Sequence, residues 1–362
     1  MSEKIAPFHL AILIYMIQSG VTLYKLPRML AVNFGTNGWV MILIISLIAG
    51  FNIFLVSLVN RFRRGENVFE IMEGLVPQKV LAPFYVILAL IWSILPLLVG
   101  KDYMLITQVL AFQNTSLLLL YSLFLLLALY LVVKDIYTIT KTTTVFFFLT
   151  IWMTFMLIYH IPYSSFMRLT PFIFKGGNNP LQGMIEVYTA FLGFEIVLFL
   201  FPYIDQTKPK WFRSVYIGHV ITTVVYGLTC FVSFMYFSFD QLKLTSFPVL
   251  NLIAYIEIEL IERIESLVFN LFLMKILITV VMYLWAAKLL LNRAIPAINE
   301  KWCVFILIFV AYLITLKVDV AYELAPWLLI FGLAAAGIAL GLPVLLLVTL
   351  WIRSIRRKRH AE

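Results

Sequence analysis

Two glycine-interrupted stretches, one glutamate and one lysine are the residues of this chain whose types and positions could do chemistry. Glu195 lies near the middle of an apolar stretch from Gly183 to Ile204, directly after Gly193 and Phe194, and Pro202 closes the stretch. A carboxylate at the centre of a membrane-length segment costs about 2.5–3.5 kcal/mol on insertion scales. It therefore needs a structural partner or a use: it could hold a ligand amine, accept a proton, or settle into an ion pair or a hydrogen bond to backbone. An earlier stretch, Phe8 to Ala31, has the same grammar: Gln18-Ser19-Gly20 interrupts its middle and Pro27 follows. Gly20 and Gly193 lie 173 residues apart and the two prolines 175 apart. Interrupted apolar segments at corresponding positions of two halves point to a transporter-type binding site near the bilayer midplane.

Each interruption has its own chemistry. Gln18, Ser19 and Thr22 offer donors and acceptors to freed backbone or to a ligand, and an unwound stretch at Gly20 would present a half-helix N-terminus suited to a carboxylate. The alternative is an unbroken helix that uses Gly20 for packing. In the second stretch Gly193 shares a helical face with Glu186, Thr189 and Ala190, whereas Glu195 lies off that face unless the helix breaks. Lys275 stands twelve residues past Arg263, about 18 Å along a helix, too deep to reach the surface with ease. The expectation is an ion pair with Glu195, structural or coupling. Lys101 and Asp102, being adjacent, point about 100° apart and each needs a partner elsewhere. Lys25 and Arg28 lie near a helix end and can snorkel.

Composition sets the frame for these side chains. Of the 362 residues, 63% are hydrophobic and 12% charged, with a mean hydropathy of +1.01, far from the globular norm of roughly 45–50% apolar and 25% charged. The apolar runs are long and uncharged rather than alternating, so the expected fold is an all-α integral membrane protein in one polytopic domain. Windows of about 20 residues predict ten spans, near 8–31, 37–60, 79–112, 116–133, 142–161, 183–204, 212–238, 263–291, 301–316 and 325–352. Lys4, Arg61, Arg63, Arg64, Lys79, Lys134, Lys141, Lys208, Lys210, Arg213, Lys288, Arg293, Lys301 and the tail 353–362 fall on one side. Arg168, Lys175, Lys243 and Lys317 fall on the other. The basic excess marks the cytoplasmic side, so both termini are expected there, and much of the +9 net charge needs no nucleic acid to explain it. Trp39 and Trp327 near one boundary, and Trp211, Trp302 and Trp351 near the other, fit interfacial anchoring.

Between the spans, Val68 to Leu75 reads as an amphipathic surface segment with Val68, Ile71, Met72 and Leu75 on one face. Asp240 to Glu262 is a long loop, helical after Val249 and carrying Glu257, Glu259 and Glu262, and it is expected to cap the outer side. Glu259 and Arg263 are spaced as an ordinary surface pair. Gly337 and Gly341, beside Ala334, Ala335 and Ala336, form a small-residue face expected to pack within the chain. Cys230 and Cys303 are expected to be packing residues, and His9, His160, His219 and His360 are too scattered for a metal site. No nucleophile motif, phosphate loop or cofactor signature is present, which argues against an enzyme.

Leu26-Pro27-Arg28 after the interrupted first span, Gly193-Phe194-Glu195 in the sixth and Glu262-Arg263-Ile264-Glu265 opening the eighth resemble the B subunits of spore germinant receptors. These are the endospore germination permeases of the amino acid-polyamine-organocation superfamily, and the resemblance spans nearly the whole chain. It implies a LeuT-type fold of two inverted five-helix repeats, here roughly 8–161 and 183–352, with the first and sixth helices broken around a small-molecule site. It implies a nutrient sensor of the bacterial spore inner membrane working with a membrane A subunit and a lipoprotein C subunit. The ligand site would fall at Gln18, Ser19, Gly20, Val21 and Thr22 and at Ala190, Gly193, Phe194 and Glu195. A single glycine interrupts the first span where many permeases have two or more.

The functional expectation is a non-enzymatic receptor that binds a small nutrient, an amino acid by chemistry, and passes closure to partner subunits. A proton- or cation-coupled amino acid permease, with Glu195 or Lys275 titrating, is the alternative, and a ligand-gated ion pathway is a third.

Overall fold

The first interruption is real. In the computed structural model, helix α1 (Pro7–Gln18) begins on a proline, whose missing N–H is free of cost in a first turn, and ends where Ser19 takes φ −77° and ψ 74°. A single 3₁₀ turn, Val21–Tyr24, leads into α2 (Leu26–Phe34), which Gly35 stops at φ +80°. The structure describes residues 3–63, 65–172, 174–208, 210–256, 264–316, 318 and 320–359, excluding the side chains of Ala321 and residues 357–359.

The chain continues through α3 (Met41–Phe62), the short α4 (Val68–Glu73), α5 (Gln78–Ala111), α6 (Leu117–Val132) and α7 (Ile136–Thr150), which passes into a 3₁₀ run over Ile151–Tyr163. The second interrupted span follows as α8 (Pro180–Thr189) and α9 (Val197–Leu200), flanked by 3₁₀ turns at Phe194–Ile196 and Phe201–Tyr203 and bent by 47° across its break. Then come α10 (Arg213–Tyr236), α11 (Phe239–Leu244), α12 (Pro248–Ala254), α13 (Ile264–Ala294), α14 (Glu300–Thr315) and α15 (Ala321–Arg359). Among the described residues the only extended pairing is one isolated parallel bridge, Ile5 with Ile204.

Six of these elements are long and apolar enough to cross a membrane, and the bent pair makes a seventh. The rest of the ten expected spans are accounted for by the shorter apolar helices α1 with α2, α6 and α14. The two longest buried contacts are set by α13, which lies along α5, and by α10, which lies along α1. Its central stretch from Ile276 to Ala287 is buried throughout, because it is apolar on all sides and is surrounded by other helices. Thus α5 and α13 form a scaffold on which the broken spans are hung.

Several surface expectations change. The amphipathic α4 turns Val68, Ile71 and Met72 inward against the protein. Asn67 and Glu70 close its first turn with reciprocal side-chain to backbone bonds. Trp211 is buried against Phe201 rather than serving as an anchor, while Trp302 and Trp351 are exposed. A methyl group added at Gly337 or Gly341 would meet no atom within 4 Å, so the two glycines do not pack within the chain, whereas Ala335 and Ala336 beside them do. The outer loop is helical at α11 and α12, as expected after Val249. Glu257, Glu259, Glu262, Arg263, Arg64, Lys317 and His360 lie outside the described residues.

Candidate ligand site between the two broken helices

Breaking a helix leaves backbone groups without their i−4 partners, and inside a membrane each must be satisfied by protein. At the first break Ser19 N–H still reaches the Tyr15 carbonyl at 3.0 Å and Gly20 N–H turns back to Gln18 at 2.9 Å. The remaining carbonyls are met by two other helices. Thr279 of α13 donates its hydroxyl to the Ile17 carbonyl at 2.9 Å, and Tyr226 of α10 donates to the Gln18 carbonyl at 2.6 Å. At the second break the N–H groups of Ala190, Phe191 and Leu192 make three-residue turns, and Gly193 reverses the chain at φ +120°. Only glycine takes that angle without strain. A Cβ there would also come within 2.5 Å of Ile17 Cγ2, so the two breaks touch.

Gln18 ties the breaks together. Its Nε2 donates to the Phe191 carbonyl at 2.6 Å and its Oε1 accepts from Thr222 at 2.9 Å. His219 lies beside this amide and accepts or donates to Ser46 Oγ at 3.1 Å. The side chain that interrupts one span thereby satisfies the backbone of the other.

Between the breaks lies a cavity of about 310 Å³, at the lower end of the usual 300–1,000 Å³ for small-molecule sites. Of the nine residues expected at the site, Gln18, Gly20, Val21, Thr22 and Ala190 line it; Ser19, Gly193, Phe194 and Glu195 do not. A methyl group on Gly20 would meet no atom within 4 Å, because Gly20 faces this space. Gly193 instead sets the turn, and Phe194 is wholly buried behind it. The Ser19 hydroxyl is buried without a hydrogen-bond partner among the described residues.

Glu195 sits one hydroxyl behind the wall. Tyr283, which lines the cavity, donates to Oε1 at 2.5 Å, and the N–H of Gly193 donates to Oε2 at 2.8 Å. The expected pair of Glu195 with Lys275 does not form. Lys275 Nζ donates to Tyr15 Oη at 2.7 Å and lies over the Tyr15 and Phe272 rings at 4.8 and 5.3 Å. Lys275 is itself on α13, and Tyr283, the α13 residue that meets Glu195, is eight residues from it, about 12 Å along the helix. Glu195 meets the tyrosine.

The charges that do border the cavity come from elsewhere. Lys25 and Asp102 form an ion pair at 2.6 Å, with the aspartate side chain nearly buried and the lysine partly exposed. Glu186 also lines it, receiving Gln182 Nε2 at 2.7 Å and Asn33 Nδ2 at 3.3 Å. The sequence held signals for these. Lys25 follows Gln18 by seven residues, and Asp102 is the one acid between Gln78 and Ala111. Lys101, pointing the other way, donates to the Thr315 carbonyl at 2.5 Å, and Arg28 to the Lys243 carbonyl at 2.9 Å.

The site therefore offers a cation and two carboxylates on one apolar wall system, with freed backbone at both breaks. The stretch from Phe194 to Leu200, behind the second break, is buried. Among the described residues no cluster of His, Cys, Asp and Glu could hold a metal ion.

Solved structures share this architecture. MHP1, a nucleobase-cation-symport-1 family transporter in a closed conformation with bromovinylhydantoin bound, superposes with a TM-score of 0.63 at 16% identity, over 94% of this chain and 78% of that one. A manganese transporter from Eremococcus coleocola superposes at 0.55 with 13% identity, over 95% and 78% of the two chains. These likenesses establish the fold, a LeuT-type helical membrane architecture with broken first and sixth spans. In sequence, the spore germination protein GerQB of Bacillus cereus is 22% identical over 312 residues, 86% of each chain. The family model for spore germination proteins, the spore permeases, matches residues 4–321. A multi-pass membrane protein with a cavity between two broken spans, this chain belongs to the spore germination protein family.

Proposed function

We propose that this protein is the nutrient-sensing subunit of a spore germinant receptor, binding a small zwitterion, an amino acid by class, in the cavity between the broken spans. The observation that carries the reading is the polarity of that cavity. Lys25 with Asp102, Glu186, and the backbone at Gly20, Val21 and Thr22 all line it. A ligand carboxylate is matched by Lys25 and the start of the Val21–Tyr24 turn, and a ligand amine by Glu186 or Asp102. Binding signals only through a difference in affinity between two conformations. In this reading closure of the breaks is passed to a membrane A subunit and a lipoprotein C subunit in the spore inner membrane. The termini face the spore core, as the basic residues indicate. The two halves, 8–161 and 183–352, act as inverted repeats that rock about the site.

A coupled amino acid permease is the second reading, favoured by the fold's occurrence in a nucleobase-cation symporter and a manganese transporter. Paired binding and uptake measurements in liposomes, with labelled amino acids and with or without a proton gradient, separate the two. Saturable binding without accumulation supports the sensor. Gradient-driven accumulation replaces it with the permease, and absence of any binding removes the site.

A further inference from the structure

Lys275 is 2% exposed, and among the described residues no carboxylate lies within ion-pair distance of it. Asp102 is taken by Lys25, and Glu195 by Tyr283 and Gly193. An ammonium buried without a counter-charge is costly even after relaxation, and the rings of Tyr15 and Phe272 offset only part of this. One of its three N–H donors is used on Tyr15.

Lys275 also borders a separate small cavity of about 30 Å³ that shares no lining residue with the main site. It lies where the 3₁₀ turn of the first span, the 3₁₀ run over Ile151–Tyr163, α10, α12 and α13 meet. Tyr24 lines it too, and its hydroxyl is buried without a partner among the described residues. Tyr24 and Lys275 both pack on the Phe272 ring, at 4.8 Å between rings and 5.3 Å from Nζ. Thr154 and Thr229 also border the space, and the Thr229 hydroxyl is committed to the Val225 carbonyl at 2.7 Å. The rest of the lining is largely apolar: Leu23, Val268 and Ile253 among others.

A space of this size holds one water or one monatomic ion. Besides the two threonines, an ammonium and a phenol O–H border it, and both have hydrogens to give. A cation is excluded by the lysine charge. We infer that this cavity is a binding site for a single small anion, a halide, which neutralises Lys275 and receives the Tyr24 hydroxyl. The ion would lock the turn after the first break to α13, one helical turn from the hydroxyl of Thr279 that holds the break itself.

The test uses the full chain purified in detergent. Thermal midpoints are compared in chloride, bromide and gluconate at equal ionic strength, for the native protein, Tyr24→Phe and Lys275→Met. The expected result is a midpoint several degrees higher in halide for the native protein, reduced in Tyr24→Phe and absent in Lys275→Met. Should Lys275→Met fail to fold, Tyr24→Phe and a bromide-soaked crystal of the native protein decide. An anomalous bromide peak within hydrogen-bonding reach of Nζ supports the site. Equal midpoints in halide and gluconate, or a water in place of the peak, overturn it.

Discussion

Tyr283 and Glu195 meet at 2.5 Å at the wall of the cavity, which Tyr283 lines and behind which Glu195 is buried. The glutamate's other oxygen receives the N–H of Gly193, so one side chain fixes both the wall and the turn of the second break. This is a positioning role, and it makes the effect of charge removal specific.

Glu195→Gln should leave the protein in the membrane but weaken ligand response at least tenfold. The amide has one acceptor oxygen where the carboxyl group has two, and a buried donor left unmet costs about 1–3 kcal/mol. Tyr283→Phe should reproduce much of the loss. Dose–response curves with a normal midpoint in both variants would remove Glu195 from the site's machinery.

Gly20 and Gly193 should respond oppositely to small side chains. Gly20→Ala, at φ −93° with open space at its Cβ, should keep the native thermal midpoint, while Gly20→Phe should fill the cavity and abolish binding. Gly193→Ala carries both a left-handed backbone angle and a 2.5 Å clash with Ile17, and should cost about 1–3 kcal/mol or more. Equal stability of the two alanine variants would mean the second break is placed wrongly.

For Lys25 and Asp102 a double-mutant cycle is informative. Either single change, Lys25→Met or Asp102→Asn, leaves a partly buried charge unpaired, and the double variant should recover part of the loss, with a coupling of about 0.5–3 kcal/mol. Additive single effects on stability would show that the pair is solvated rather than structural. Binding of labelled amino acids should fall in all three.

Gln18→Leu should destabilise by about 1–3 kcal/mol, because the Phe191 carbonyl is left without its donor. Gln18→Glu keeps the acceptor for Thr222 but not the donor, so it should recover little. A Leu variant as stable as the native protein would indicate that water replaces the amide.

Much of this arrangement is legible in the sequence because membrane insertion writes it there. The span lengths follow from hydrocarbon thickness, and Gly20 and Gly193 mark the breaks because a helix in lipid tolerates few other interruptions. What composition could not supply was azimuth. Depth placed Glu195 and Lys275 in the membrane, but only the packing of α13 shows that Tyr283, two turns further along, faces the glutamate. Lys25 and Asp102 are 77 residues apart, and their pairing depends on how α5 is rotated against the first break. The glycines at 337 and 341 misled for a related reason: small residues permit close approach without requiring it.

Helix α13 touches Tyr15 through Lys275, the Ile17 carbonyl through Thr279 and Glu195 through Tyr283, three contacts four residues apart on one side of a single rod. Eighteen residues beyond Lys275, about 27 Å along the axis, Arg293 of the same rod is bonded to Glu73 on the basic face of the molecule. The rod therefore works like a camshaft: neither break can shift against it without turning or sliding it, and either movement arrives at Glu73 as a change of register. A surface there could read the state of the cavity without touching what occupies it.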